Sequence, residues 1–178
     1  MPKYVALLRG INVSGQKKIK MAELRQHLID AGFGEVQTYI QSGNILLDSD
    51  LTDRGVLAQE VAEVIQKNYA FEVTVLIRQA ADLRNILTGN PFLTADNIKY
   101  QYVTFLAESP TAEAIGHLAT FDYKPEDYAL RDDFLYFFAA NGAGRAKMGN
   151  NFFEKKLKVA ATTRNWRTVM KLLEMLGE

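Results

Sequence analysis

Val36-Gln37-Thr38-Tyr39-Ile40-Gln41-Ser42-Gly43-Asn44-Ile45-Leu46-Leu47-Asp48 reads as a β-hairpin. Val36 to Gln41 and Ile45 to Asp48 are strand segments, and the short Ser42-Gly43-Asn44 turn joins them. The flanking elements decide what the hairpin belongs to. Upstream, Met21 to Ala31 carries Met21, Leu24 and Leu28 on one helical face, with Gly32 just past its end. Before it, Tyr4 to Leu8 is a buried strand. Downstream, Leu57 to Tyr69 is a helix with Leu57, Val61, Val64 and Ile65 facing inward, and Glu72 to Arg78 is an alternating strand rich in β-branched residues. The order β-α-β-β-α-β is that of the split βαβ, or ferredoxin-like, unit.

The second half repeats much of this pattern. A connecting helix (Ala81 to Leu87) and the breaker Asn90-Pro91-Phe92 lead to a strand at Tyr102 to Leu106 and a helix at Ala112 to Ala119. Strands follow at Tyr128 to Arg131 and Phe134 to Ala139. A Gly-rich loop then precedes two helices, Phe152 to Lys158 and Arg164 to Leu176, the last with Trp166, Val169, Leu172, Leu173 and Leu176 on one face. The halves overlay in sequence: Ala22-Glu23 falls on Ala112-Glu113, and His27-Leu28 on His117-Leu118. The expectation is an α+β protein of two tandem ferredoxin-like (split βαβ) subdomains from an internal duplication. The second is incomplete, lacking its fourth strand, and ends in C-terminal helices. The segments are 1–78, a connection over 79–99, and 100–178.

The first strands align at a longer offset than the helices, Tyr4-Val5 on Tyr102-Val103. The surplus residues fall in Arg9-Gly10-Ile11-Asn12-Val13-Ser14-Gly15-Gln16-Lys17-Lys18. A strand–helix loop longer than the fold requires points to function more strongly than a core position does. In a ferredoxin-like unit the first and third strands are antiparallel neighbours, so this loop should lie beside Gln41-Ser42-Gly43-Asn44. Arg9, Asn12, Lys17, Ser42 and Asn44 would then share a rim whose glycines, backbone amides and cations suit a carboxylate or phosphate. The plainer reading is that the glycines only solve turn geometry and the lysines are solvated.

Charge carries the argument to the other end of the chain. Net charge is zero, but residues 1–22 hold Lys3, Arg9, Lys17, Lys18 and Lys20 with no acid, and residues 141–171 hold eight basic residues against Glu154 alone. The middle is acidic, so either an anionic partner meets the basic ends or opposite charges pair within the fold. The C-terminal candidates are Arg145 and Lys147, in the Gly142 to Gly149 loop, and Arg164 and Asn165. Thr163 is expected to cap the last helix there, and the arginines near its start to leave an anion-seeking end.

Other classes are disfavoured. The chain has no cysteine, which removes disulfides, thiol nucleophiles and thiolate metal sites. That, with the absence of a signal-peptide pattern at Met1 to Arg9 and of any apolar run long enough for a membrane span, points to a cytoplasmic protein with no membrane partner. Gly10-x-x-x-x-Gly15 approximates a P-loop, yet Gln16 stands where the lysine belongs. The two histidines sit at repeat-equivalent helical positions beside apolar stripes, and no His/Asp/Glu cluster has metal-ligand spacing. Ser42 lies in no G-x-S-x-G elbow. The aromatic strand Phe134 to Phe138 lacks the glycine and base of an RNA-binding strand.

Five separated blocks together resemble one bacterial family, domain of unknown function 1697. They are Val5-Ala6-Leu7-Leu8-Arg9-Gly10-Ile11-Asn12-Val13, Met21-Ala22-Glu23-Leu24-Arg25, Thr38-Tyr39-Ile40-Gln41-Ser42-Gly43-Asn44, Asn90-Pro91-Phe92 and Thr162-Thr163-Arg164-Asn165-Trp166. Ser14-Gly15 stands where the family leads one to expect Gly-Gly. The resemblance implies a cytoplasmic protein with a two-subdomain, ferredoxin-related fold, and implies no activity, catalytic residue or cofactor. The residues favour a binding protein, with or without catalysis, for a small anionic or phosphorylated ligand. A nucleic-acid-binding module using the basic ends and a non-catalytic interaction domain are the alternatives. Salt dependence separates the first two, because extended phosphate-backbone binding weakens steeply with salt.

Overall fold

The computed structural model describes residues 1–177, and the chain divides into two compact units. The first comprises Met1–Asn85 together with residues 172–177, and the second Ile86–Lys171.

In the first unit, β1 (Lys3–Leu8) leads to α1 (Met21–Asp30), then β2 (Gly34–Tyr39) and β3 (Asn44–Asp48), α2 (Arg54–Tyr69) and β4 (Val75–Arg78). The helix α3 (Ala80–Thr88) begins in this unit and runs into the next. The sheet order is β2-β3-β1-β4, with every pairing antiparallel. Local chemistry starts and stops these elements. Asp53 Oδ1 accepts from the amides of Gly55 and Val56 at 2.7 and 3.0 Å to open α2, and Ala70 closes it in the left-handed region. Alternation along β1 puts Tyr4, Ala6 and Leu8 against Leu24 and Leu28 of α1 and Leu57, Val61 and Ile65 of α2. Each such aliphatic side chain buried is worth ~1.5–3 kcal/mol, so this stripe carries most of the stability of the unit. Val5, Leu7, Leu46 and Leu76, on the opposite face, are buried as well.

In the second unit, β5 (Gln101–Leu106), α4 (Ala112–Leu118), β6 (Asp127–Leu130), β7 (Phe134–Phe138), α5 (Asn150–Leu157) and β8 (Ala161–Asn165) follow in order, and α6 (Trp166–Met175) begins in this unit and runs into the first. The order β6-β7-β5-β8 is again antiparallel throughout. Its core sets Leu106, Leu135 and Phe137 against Leu118 of α4 and Phe153 and Leu157 of α5.

Two expectations are corrected here. The second sheet is complete: Ala161–Asn165 is its fourth strand, paired along β5. Thr163 therefore lies inside a strand and does not cap the last helix; its hydroxyl meets that of Thr104 at 2.8 Å. Helix α6 starts at Trp166, where Asn165 Oδ1 accepts from the amide of Thr168 at 2.8 Å. Thr162-Thr163-Arg164-Asn165 reads as helix entry because it is polar. It is a strand because β5 supplies cross-strand partners that periodicity does not reveal.

Candidate functional site

The β1–α1 loop is a tightly wound structure. Gly10, Asn12, Ser14, Gly15 and Lys17 all have positive φ, from 44° to 75°. Three of them carry side chains, a strained backbone that persists only where its surroundings hold it. Asn12 does the holding: its Nδ2 donates to Ile19 O and Gln41 O at 3.0 and 2.8 Å, and its Oδ1 accepts from Ile19 N at 2.8 Å. The loop thus lies against the Gln41–Asn44 turn, and the contact is closed. Leu8 N donates to Gly43 O at 2.8 Å, and a Cβ on Gly43 would stand 2.7 Å from Leu8 Cβ and 2.9 Å from Ile11 Cδ1. Asn44 is fully buried, its Nδ2 donating to Tyr39 O and Ser42 Oγ. Ser42 itself is exposed. Asn12 and Asn44 thus hydrogen-bond within the protein, Asn12 to the backbone of Ile19 and Gln41 and Asn44 to Tyr39 O and Ser42 Oγ.

The open space lies on the other flank of the loop. A groove of about 770 Å³ runs between one side of α2 and residues 72–75, with Arg9 and Lys17 in its wall. Gly55, Ala58 and Ala62 keep the helix side shallow, Gln59 and Gln66 make it polar, and Lys67 adds a third cation. Glu63 and Glu72 leave the lining one positive charge in excess. Lys17 Nζ donates to Glu72 O at 2.6 Å and stands 5.9 Å from the Phe71 ring, so the left-handed turn at Lys17 sends its ammonium across to this wall. Of the predicted residues, Arg9 and Lys17 line the groove. The α2 residues were not singled out in the sequence, where an outward helix face reads as solvated; the run of small residues three and four apart was the available signal.

The predicted residues of the second unit have other surroundings. Arg145 is exposed in a short 3-10 turn over Ala143–Arg145. The loop after it already encloses an anion: the amides of Lys147 and Met148 donate to Oε1 and Oε2 of the buried Glu126 at 2.8 and 2.9 Å. Lys147 Nζ lies 5.4 Å from the Tyr123 ring. Arg164 is in β8, not at a helix start, and only 5% exposed; it donates to Thr162 Oγ1 at 2.7 Å and Thr163 O at 2.9 Å. Burial pushes its guanidinium down to about 10, so it still carries its charge at neutral pH. Asn165 serves the start of α6.

The two histidines have matching partners, His27 edge-on to Tyr69 at 5.7 Å and His117 edge-on to Phe121 at 5.3 Å. Among the described residues no group of three His, Asp or Glu could hold a metal ion, and no helix is long and apolar enough to cross a membrane.

The chain belongs to the family described as protein of unknown function DUF1697, whose model matches residues 1–136. It is also similar in structure to the conserved bacterial protein SP0830 from Streptococcus pneumoniae, with a TM-score of 0.77 and 24% identity over 100% of this chain and 99% of that one. At that identity the likeness is one of fold. No curated protein matches the chain.

Proposed function

We propose that this chain is a cytoplasmic binding protein for an anionic ligand, held in the α2 groove on a frame of two ferredoxin-like units related by duplication. Strand order and register support the frame. Both sheets place the first strand of the unit between its third and fourth, all antiparallel. Val5 faces Arg78 as Val103 faces Arg164, and each arginine is buried and donates to the carbonyl of the residue before it.

The observation that carries the binding reading is the convergence of Arg9, Lys17 and Lys67 on one groove. Two of these reach it from an insertion whose strained backbone is expensive to hold, as binding loops often are. Arg164 is withdrawn from solvent, which removes one cation from the C-terminal segment and weighs against an extended nucleic-acid surface. A thermal-shift screen of small anions, with citrate, phosphate and sulfate among them, tests the reading. Stabilisation that Lys17→Glu and Lys67→Glu both weaken is the expected result. Anionic ligands of every size without effect, or variants that respond as the parent does, would overturn it.

A further inference from the structure

We propose that the groove takes an extended acidic peptide, which lies along residues 73–75 and adds to the edge of β4 as a further strand. The proposal rests on the groove being the binding site, and it names the class of ligand. Arg9 N donates to Thr74 O, and Leu7 and Leu76 are in register. In an antiparallel ladder alternate residues exchange hydrogen bonds with one neighbour, so Val75 and Ile77 turn their N–H and C=O away from β1. Glu72 O, two residues before Thr74 O, meets Lys17 Nζ of the β1–α1 loop, so the alternation continues and Val73 turns outward with Val75.

Side chains of the protein stop such outward groups elsewhere. Arg78 donates to Ile77 O, Arg131 to Leu130 O and Arg164 to Thr163 O. Asp127 Oδ1 accepts from Tyr128 N, and Glu154 Oε2 from Ala161 N. The last of these is an internal control. Ala161 faces Leu106 in the second sheet as Val75 faces Leu8 in the first. A carboxylate from α5 closes that position in the second unit. In the first, among the described residues, no side chain meets the amide of Val75, and Val73 and Val75 line the groove instead.

Two residues alternating along a strand offer both donors and acceptors at a repeat of ~6.8 Å. Another extended backbone matches that pattern, as in other cases of strand addition to an exposed sheet edge. Gly55, Ala58 and Ala62 leave room for it, and Arg9, Lys17 and Lys67 select acidic side chains.

The test is to pan a phage-displayed library of random linear peptides on the full chain. Recovered peptides are then synthesised plain and N-methylated at alternate residues. The expected result is recovery of Asp- or Glu-bearing sequences. Their affinity should fall about tenfold or more with one N-methylation register, and likewise in Ala62→Gln and Lys67→Glu, the scale of losing one or more charge-assisted or main-chain hydrogen bonds. Lys67→Glu is on the exposed helix surface and serves if Ala62→Gln does not fold. Recovery of no acidic peptide, tolerance of N-methylation in both registers, or equal binding by Lys67→Glu would overturn the proposal. If citrate or phosphate still stabilises the parent and not Lys67→Glu while no peptide is recovered, the groove stands and the peptide falls. If neither acts, both readings fall.

Discussion

The two units part company at one connection. In the second, residues 107–111 carry the chain from β5 to α4; in the first, residues 9–20 carry it from β1 to α1. Beneath both lies the same joint: Leu106 N donates to Asp133 O, and Leu8 N to Gly43 O, each at 2.8 Å. Gly43 holds φ at +85°, and a Cβ there would meet both Leu8 and Ile11, whereas Asp133 stands at the matching position with no positive φ. The second helix of each unit differs too. In the first unit α2 runs from Arg54 to Tyr69, and in the second α5 runs only from Asn150 to Leu157 and donates Glu154 to the strand edge. One strand order thus supports a closed edge in one unit and an open, cation-lined groove in the other. The longer β1–α1 connection and the longer helix accompany the difference.

The sharpest way to break this comparison is at the joint. Gly43→Ala must place a Cβ at 2.7 Å from Leu8 and hold φ near +85°. Overpacking and left-handed strain together should cost about 3 kcal/mol, read as a fall in the chemical-denaturation midpoint. A loss below ~1 kcal/mol would mean that the loop gives way easily and does not define the groove. The second unit is probed at its internal anion. Glu126→Ala leaves the amides of Lys147 and Met148 without their acceptor and should cost about 2 kcal/mol. Hydrogen exchange at those two amides should speed up, while the amides of the 9–18 loop keep their rates.

Much of the frame was legible in the sequence because the strands and helices of the first unit are written in apolar periodicity. The hairpin, the two helices and the surplus loop could all be read from Tyr4 to Arg78. Strand β8 could not, because Thr162 and Arg164 are polar yet buried, and their partners come from β5 and from within β8 itself. The candidate site was half legible for a related reason. Asn12 and Asn44 have the chemistry of ligand donors, but a turn's own carbonyls use that chemistry equally well, and sequence does not say which acceptor wins. Arg9 and Lys17 were readable as cations on a surplus loop. The α2 wall became visible only once β4 was placed beside it.

The smallest effect comes from a pair of tyrosines and should differ in sign between the units. Tyr136 Oη donates to Ile86 O at 2.9 Å within the second unit, whereas the Tyr69 hydroxyl of the first is buried with no hydrogen-bond partner among the described residues. Removing a satisfied hydroxyl costs about 1 kcal/mol, and removing an unsatisfied one returns a similar amount. Tyr136→Phe should therefore destabilise at neutral pH, and Tyr69→Phe should stabilise. Alkaline titration adds a second reading in which the two variants agree. Burial is the main cause raising both phenols above their ordinary value, with Glu23 adding to it at Tyr69 and Arg131 opposing it at Tyr136. A phenol whose folded pKa is raised contributes stability that is fully present below the unfolded value of about 10 and lost as pH rises through the folded one. Arg164 acts in the opposite sense, since its guanidinium is depressed in the fold and stability gains as it deprotonates above about 10. Each Phe variant removes one phenol and leaves Arg164 in place, so each should lose less stability than the parent between neutral pH and pH above 10. Urea midpoints measured across that range decide the matter. A Tyr69→Phe protein that is less stable than the parent at neutral pH would show that the hydroxyl has a partner, and the asymmetry between the units would not extend to their tyrosines.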